Sequence, residues 1–268
     1  MENKILTSIK NPLIKQVRKL QRPKERQKQN MLLIEGNNLI EAAFQADYKL
    51  DIIFYTEFWQ LNHPLLCQTI EEKEIRAQLV SQEVLKAIAT TINPDGIVAI
   101  APRPSMIKEI PVIQEIGIAL ERLQDPGNLG TIIRTSAATK ADGLWLSPDS
   151  VDYYSPKVLR ASAGQWFKLP VATNQDLSDL VQQQCQAGVQ IIATTAKATQ
   201  TYWEVDWTRP SLILLGNEGA GLSSELIDLA DLEIKIPLAN QVESLNVAIA
   251  SALLLYEAQR QKALSIKH

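Results

Sequence analysis

The residues Leu-Ile-Leu-Leu-Gly-Asn-Glu-Gly-Ala-Gly-Leu-Ser at positions 212–223 lead from an apolar run into a loop with three glycines. A short apolar run predicts a buried strand, and glycines let a ligand approach the backbone closely. The spacing excludes two nucleotide-binding motifs, because Ser224 stands where the dinucleotide fingerprint needs glycine and Leu222 stands where a Walker A loop needs lysine. The loop is therefore either a backbone-lined pocket, in which Glu218 could pair with a positive ligand group, or a plain turn with a solvated Glu218.

A second polar loop follows the predicted strand at residues 116–123. Its sequence at positions 125–134 is Asp-Pro-Gly-Asn-Leu-Gly-Thr-Ile-Ile-Arg. We expect Asn128 to cap the N-terminus of a helix, with Arg134 six residues further along that helix. Read alone, this loop is also explained by a common strand-to-helix turn with a surface arginine.

The third loop has the sequence Ile-Pro-Leu-Ala-Asn-Gln-Val-Glu-Ser-Leu-Asn-Val-Ala-Ile-Ala at positions 236–250. It connects a predicted strand to a long terminal helix, predicted at residues 245–261. Ser244 is the expected N-cap of that helix and Asn246 a residue of its first turn, and capping preferences alone explain both.

Strand and helix patterns alternate along the chain, which indicates an α/β protein with a mainly parallel sheet covered on both faces. Ligands bind such sheets at the carboxyl ends of the strands. The pattern is interrupted at Ala-Pro-Arg-Pro-Ser, positions 101–105, because two prolines this close continue neither a helix nor a central strand. We therefore predict a small α/β domain at 1–101, a linker at 102–112 and a second domain at 113–268.

The N-terminal segment is strongly basic. Residues 1–30 contain nine basic and two acidic side chains, a net charge of +7, so the rest of the chain carries −10 of the total of −3. Apolar residues at helical spacing predict an amphipathic helix that Pro23 ends or kinks. A basic helix on an acidic body favours contact with a polyanion such as RNA, and a solvated lysine-rich surface helix is the alternative. The predicted RNA-binding residues are Lys15, Arg18, Lys19 and Arg22.

Composition excludes several classes of site. Only two histidines, His63 and His268, and two widely separated cysteines, Cys67 and Cys185, are present, so a histidine-based triad, a zinc site and a disulfide scaffold are all excluded. We expect no metal. The sequence shows neither a signal-peptide pattern nor an apolar run of about 20 residues, so we expect a cytoplasmic protein with no membrane partner.

In their order and wording, the three loops together resemble the signature motifs of the SpoU/TrmH family of RNA ribose methyltransferases, within the SPOUT superfamily. The resemblance covers roughly residues 112–262, and residues 5–101 look, more loosely, like the small α/β substrate-binding domain that often precedes this catalytic domain. It implies S-adenosylmethionine as methyl donor, a homodimer, 2′-O-methylation of a structured RNA, and a trefoil knot in the C-terminal domain, an exception to the usual absence of knots.

The resemblance also implies residue roles. The residues that match polar positions around the reacting ribose are Asn128, Arg134, Glu218, Ser244 and Asn246. The residues assigned to the cofactor are Thr195, Leu215, Gly216, Gly221, Ile236 and Leu245. An arginine stays protonated in proteins, so we expect Arg134 to hold the ribose or phosphate and to stabilise the developing alkoxide. The proton would leave through water, a phosphate oxygen or Glu218.

The predicted function is S-adenosylmethionine-dependent ribose 2′-O-methylation of a nucleotide in ribosomal RNA, with large-subunit rRNA favoured. Ribosomal RNA is preferred to transfer RNA because an α/β domain precedes the catalytic one. A methyltransferase that confers resistance to a ribosome-targeting antibiotic has the same layout. The alternatives are a transfer RNA ribose methyltransferase and a non-catalytic RNA-binding protein that retains the fold.

Overall fold

A computed structural model describes residues 5–104, 112–173 and 176–265. These residues form two compact units. The first contains the N-terminal part of the chain together with Tyr154–Phe167, and the second contains the remaining described residues. Most of the predicted linker, 105–111, lies outside the described residues, so the linker and the domain boundaries stay predictions.

The first unit has a four-stranded sheet in the order β1-β4-β2-β3. Its strands are β1 (Met31–Glu35), β2 (Ile52–Tyr55), β3 (Arg76–Leu79) and β4 (Ile97–Pro102). Its helices up to β4 are α1 (Pro12–Lys19), α2 (Pro23–Gln29), α3 (Asn37–Gln45), α4 (Glu57–Asn62), α5 (Pro64–Glu72) and α6 (Gln82–Ile88). β4 pairs antiparallel with β1 and β2, whereas β2 and β3 pair parallel. The predicted small α/β unit is thus present, with a mixed sheet.

The second unit has a seven-stranded sheet in the order β7-β6-β5-β10-β8-β11-β9. The strands are β5 (Ile116–Leu120), β6 (Gly143–Leu146), β7 (Val171–Ala172), β8 (Gln190–Thr194), β9 (Gln200–Thr201), β10 (Ser211–Leu215) and β11 (Leu232–Lys235). The helices are α7 (Pro126–Ala138), α9 (Leu177–Gln186), α10 (Ser224–Asp228) and α11 (Val247–Ser265), while α8 (Pro156–Ala161) belongs to the first unit. Every strand pair is parallel, which confirms the predicted sheet. The trefoil knot stays a prediction.

The central strands β5 and β10 are buried along their whole length, as expected for a parallel sheet covered on both faces. The terminal helix α11 packs against α7. It begins two residues later than predicted and extends to Ser265. Among the described residues, no helix is both long enough and apolar enough to span a bilayer.

The basic segment folds as two helices. α1 buries Ile14 and Val17 in the core of the first unit and places Arg18 and Lys19 in its last turn, where cations interact favourably with the helix dipole. α1 ends at Lys19, but Pro23 does not end it. Pro23 is instead the first residue of α2, because proline at that position needs no N–H and already has a helical φ.

The segment Tyr154–Phe167 lies between β6 and β7 in sequence, yet it packs in the first unit. α8 contacts β1, and the rings of Trp166 and Phe167 contact Tyr48, with centroids 6.0 Å and 5.1 Å away. The domain prediction had placed this whole segment in the second domain.

A buried charge network anchors α8. The carboxylate of Glu35, at the end of β1, accepts hydrogen bonds from the backbone N–H and the hydroxyl groups of both Thr90 and Thr91. The Arg160 guanidinium donates to Glu35 Oε2 at 2.9 Å and to Thr90 Oγ1 at 2.6 Å. Burial raises the pKa of the Glu35 carboxyl, but the hydrogen bonds from Thr91 and Thr90 and the charge of Arg160 outweigh burial, so this pKa lies below its ordinary value of 4.5.

We predict that Arg160→Ala lowers the free energy of unfolding by about 1.5–3 kcal/mol, because a buried carboxylate loses a charged hydrogen-bond partner. Arg160→Lys should recover part of the loss, and Arg18→Ala, at an exposed arginine of α1, should change stability by less than about 0.5 kcal/mol. Urea denaturation measures all three. If Arg160→Ala were as stable as the wild type, the interaction of Arg160 with Glu35 would not contribute to the free energy of unfolding.

The same network predicts a pH dependence. A carboxyl group whose pKa is lowered by folding stabilises the protein above its unfolded pKa, and the contribution is lost as pH falls through the folded pKa. The wild type should therefore retain this contribution at pH 4.5 and lose it at more acidic pH. In Arg160→Ala the folded pKa of Glu35 should be higher, so the contribution should be smaller and its loss should be complete at a higher pH.

Candidate active site

The three polar loops leave the sheet at one edge. Because all pairs are parallel, the carboxyl ends of β5, β10 and β11 lie at the same edge, where ligands bind in α/β proteins. The first two loops begin next to each other because Leu120 of β5 and Leu215 of β10 are the last paired residues of adjacent strands, and the third leaves β11, two strands from β10. The structure thus brings together segments that are about a hundred residues apart in sequence.

Asp125, not Asn128, caps α7. Its Oδ1 accepts a hydrogen bond from the N–H of Asn128 at 2.9 Å, and Pro126 is the first helical residue. The prediction of Asn128 as the N-cap was wrong by three residues, because Asp followed by Pro is itself a strong helix start. The consequence is that the Asn128 side chain is not used by the cap and can bind another loop.

Asn217 shapes the glycine loop, and the sequence analysis did not assign it a role. Its backbone N–H and C=O pair with the C=O and N–H of Gly221 at 3.1 Å and 2.9 Å. Its side chain accepts from the N–H groups of Gly219 and Ala220 and donates to the Arg122 carbonyl at 2.8 Å. An Asn between glycines, just beyond the end of a strand, is a recognisable turn former, so this signal was present in the sequence.

Gly216 lies at the closed base of this loop. A Cβ atom at Gly216 would overlap the backbone carbon of Gly221 and the nitrogen of Leu222. The outer glycines differ. A Cβ at Gly219 would meet only Asn217 Oδ1, at 3.6 Å, and a Cβ at Gly221 would meet nothing within 4 Å. The loop is therefore tightly closed at its base and open on the other side.

Three of the five predicted catalytic residues form a hydrogen-bonded row. Asn128 Nδ2 donates to Glu218 Oε1 at 3.0 Å, and Asn246 Nδ2 donates to Asn128 Oδ1 at 2.9 Å. Each of the three comes from a different loop. The Asn128 side chain donates from its nitrogen to a carboxylate and accepts at its oxygen from an amide. These two different partners fix the orientation of the Asn128 amide.

Asn246, not Ser244, caps α11. Asn246 Oδ1 accepts from the N–H groups of Ala248 at 2.9 Å and Ile249 at 3.4 Å. Serine and asparagine are both favoured N-cap residues. Because α11 begins two residues later than predicted, Asn246 and not Ser244 takes the N-cap position. Ser244 is exposed and makes no hydrogen bond with the other described residues.

Arg134 is on α7 but apart from the row. Six residues at 100° each turn it by roughly 120° from Asn128 around the helix, onto the face of Thr131. It is exposed, and it has no hydrogen bond or ion pair within the part of the chain that the structure describes. Its guanidinium is accessible to a ligand that approaches from solvent.

The residues predicted to bind a cofactor lie around the same edge. Leu215 and Gly216 join β10 to the glycine loop, Ile236 follows β11, and Leu245 precedes Asn246. Thr195 follows β8, where its N–H donates to the Ile234 carbonyl at 2.9 Å.

The loop 237–244 is exposed along its whole length, so its backbone groups are accessible. A closed glycine base and an accessible backbone fit a ligand that is bound mainly by main-chain groups, as the resemblance implies for S-adenosylmethionine.

The predicted RNA-binding residues Lys15, Arg18, Lys19 and Arg22 are all exposed on α1 and at the start of α2. Arg26 is the exception in this basic segment, because it is buried and donates to the Leu20 carbonyl at 2.7 Å. Among the described residues no group of three or more His, Cys, Asp or Glu side chains is arranged for a metal ion. The predicted absence of a metal stays a prediction.

Comparison with known proteins gives consistent matches to both parts of the chain. Residues 115–256 match the model of the SpoU rRNA Methylase family, and residues 11–99 match that of the MRM3-like substrate binding domain. The chain is similar to an uncharacterized tRNA/rRNA methyltransferase of Synechocystis sp., with 46% identity over 96% of this chain and 94% of the relative. It is also similar to a 23S rRNA (guanosine(2553)-2′-O)-methyltransferase of Bacillus subtilis, with 32% identity over 94% and 98% of the two chains.

Among solved structures, an rRNA methyltransferase from Sinorhizobium meliloti with bound AdoMet superimposes with a TM-score of 0.85. The two chains are 33% identical, and the match covers 96% of this chain and 97% of the other. This similarity spans both units of the present structure.

We predict that Gly216→Ala forces the glycine loop open, because the new methyl group overlaps the backbone of Gly221 and Leu222. In this variant the backbone amides of residues 215–223 should exchange hydrogen faster than in the wild type, and the melting temperature of the protein should fall. Gly219→Ala is the matched control in the same loop and should change neither, since its methyl group meets only an ordinary contact. Equal behaviour of the two variants would contradict the closed base.

Proposed function

Because the chain belongs to the SpoU rRNA Methylase family, we propose that it transfers a methyl group from S-adenosylmethionine to a ribose 2′-oxygen of large-subunit ribosomal RNA in the cytoplasm. The observation that carries the proposal is the row of Glu218, Asn128 and Asn246, which joins the three signature loops. The rRNA target is favoured over transfer RNA by the relative that methylates 23S rRNA and by the match of residues 11–99 to a substrate-binding domain.

The cofactor supplies an electrophilic methyl group on a sulfonium. In our proposal Leu215, Gly216, Thr195, Gly221, Ile236 and Leu245 hold it through the backbone at the carboxyl edge of the sheet. No step requires a metal. Positioning alone accounts for much of the barrier reduction when both reactants are held in line.

The polar residues then act on the ribose. Asn246 and Glu218 hold the Asn128 amide in one orientation, so that it can contact the ribose without rearranging. One carboxylate oxygen of Glu218 accepts from Asn128; the other has no partner among the described residues and can take the 2′-hydroxyl proton directly or through water. We assign Ser244, which is exposed and precedes Asn246 by two residues, to a hydrogen bond with the substrate.

Arg134 is the proposed electrostatic stabiliser. A guanidinium remains charged at any ordinary pH and cannot act as a base, but it can hold a ribose or phosphate oxygen and stabilise the developing alkoxide. Its exposed position on α7 leaves it free to contact RNA.

Ribose-methylation mapping of total RNA from cells with and without the gene tests the function. Loss of one 2′-O-methyl site in large-subunit rRNA is the expected result. A site lost from transfer RNA would assign the alternative substrate, and an unchanged map, together with no transfer to rRNA by the purified protein, would favour an RNA-binding protein without activity.

We predict that Arg134→Ala lowers the single-turnover rate by roughly a hundredfold or more, as for loss of an oxyanion donor. Stability and cofactor affinity should hardly change, because the Arg134 side chain is exposed and has no hydrogen bond or ion pair among the described residues. Arg134→Lys should recover only part of the rate, since an ammonium lacks the guanidinium fork. Single-turnover methylation at saturating RNA and cofactor measures this, and a near wild-type rate of Arg134→Ala would exclude the residue from the reaction.

The basic helix α1 is proposed to supply RNA affinity. Replacing Lys15, Arg18, Lys19 and Arg22 by Ala should weaken RNA binding, and the slope of log K against log salt should become shallower by about 3, because each lost phosphate contact changes it by roughly 0.7–0.9. Cofactor binding should not change. Replacement of the exposed Lys140 and Arg209, in the other unit, is the control. If the salt slope of the quadruple variant were unaltered, α1 would not contact RNA and would be only a solvated surface helix.

A homodimer is proposed to form through α11. Its exposed face carries Ile249, Leu253 and Tyr256, which are 53%, 38% and 53% exposed and recur at helical spacing. Large exposed apolar patches mark interfaces, and a twofold contact would bury this face against its own copy.

Light scattering should therefore give about twice the chain mass of 29.9 kDa. Leu253→Glu should shift the protein toward monomer because a buried charge without a partner is costly. Gln183→Glu, the same charge on the exposed side of α9, should not. A monomeric wild type at micromolar concentration would contradict the dimer.

A further inference from the structure

Trp203 differs from every other tryptophan of the chain. Its side chain is 59% exposed. The remaining four are Trp59, Trp145, Trp166 and Trp207, and all are buried, with exposures of 3% or less. An indole is among the largest apolar side chains, and leaving most of it in water forgoes the free energy that burial would give.

The backbone beneath Trp203 is held firmly on both sides. On one side the Glu204 carboxylate accepts from the N–H and hydroxyl of Thr201 at 2.7 Å and 2.8 Å, which closes a capping box. On the other side the Tyr202 ring is buried, and the Tyr202 carbonyl accepts from the indole N–H of the buried Trp207 at 2.8 Å. The exposed indole is therefore presented on a fixed turn.

Strand register places this turn at the active-site edge. Thr201, the last residue of β9, pairs in parallel with Lys235, the last residue of β11. Trp203 lies two residues beyond the carboxyl end of β9, and the loop that carries Asn246 begins at Ile236, directly beyond the carboxyl end of β11. The indole thus lies at the edge of the sheet from which the reactive loops project.

A flat aromatic face in this position suits an unpaired nucleobase. Single-stranded RNA is bound largely by stacking of bases on exposed aromatic side chains, and this stacking tolerates any sequence. Lys235, which pairs with Thr201 at the carboxyl end of β9, brings a cation to the same end of these two strands.

We propose that Trp203 is a stacking platform for an unpaired base next to the nucleotide that is methylated. The inference rests on the proposed function for its substrate class, RNA. It adds a binding position in the second unit, whereas the basic helix α1 belongs to the first. It also implies that the RNA is locally single-stranded where it meets the enzyme.

Direct binding tests the platform without any need for methyl transfer. The probe is a mixed-sequence single-stranded RNA oligonucleotide, and the readout is acrylamide quenching of tryptophan fluorescence. The free protein should show one quenchable tryptophan, which RNA protects. Trp203→Phe should lack the quenchable component. If the fluorescence of Trp203 remained fully quenchable at saturating RNA, the proposal would be overturned.

Variant kinetics gives the second test, with protein-free 23S rRNA as substrate. Trp203→Ala should raise KM for RNA roughly tenfold, in the range expected for one stacked base, with kcat and cofactor affinity within about twofold of wild type. Trp203→Phe should restore most of the affinity, because a benzene ring also stacks. A Trp203→Ala enzyme with wild-type KM, or one that has become monomeric by light scattering, would overturn the proposal, the second because the indole would then contact another copy of the chain.

A failure of the proposed function can be distinguished from a failure of the stacking platform. A wild-type enzyme that transfers no methyl group to any RNA counts against the proposed function, while the quenching experiment still decides on Trp203. An active wild type with an unaffected Trp203→Ala variant overturns only the stacking platform.

Discussion

The parallel pairing of β5 with β10 holds two of the three polar loops of the candidate active site side by side. Leu120 and Leu215 are the last pair of residues, and the ladder continues past them because the Glu121 N–H donates to the Leu215 carbonyl at 2.9 Å. The Glu121 carboxylate then accepts from the Ser223 N–H at 2.7 Å. One strand register therefore holds the ends of the glycine loop against the segment that begins α7.

Periodicity and loop composition were sufficient to predict the parallel sheet of the second unit and its five longer strands, but not the two-residue strands β7 and β9 or the strand order. Parallel strands in a covered sheet are uniformly apolar, as the run at 212–215 shows, and their carboxyl ends must share an edge. That constraint also explains why three loops with weak individual signals converge. The meeting of Asn128 with Glu218, 90 residues apart, follows from topology and not from any local pattern.

Local details at the loop ends were predicted less well, and for a physical reason. Ser, Thr, Asp and Asn have similar capping energies, so a sequence with several of them in succession does not identify the one that caps. Asp125 was preferred to Asn128, and Asn246 to Ser244. In both cases the prediction selected the wrong member of a polar pair, and in the first case the displaced residue became the centre of the hydrogen-bonded row.

The position of Tyr154–Phe167 in the first unit has a consequence for synthesis of the chain. Glu35 is completed by Arg160, which is translated after β5, α7 and β6. At about 5–20 residues per second, the nascent first unit waits for several seconds or longer after β4 with its acidic group lacking the cationic partner. Its final packing is therefore reached only once two of the seven strands of the second unit, β5 and β6, have emerged from the ribosome. Folding of the first unit thus depends on a segment that is made after part of the second unit.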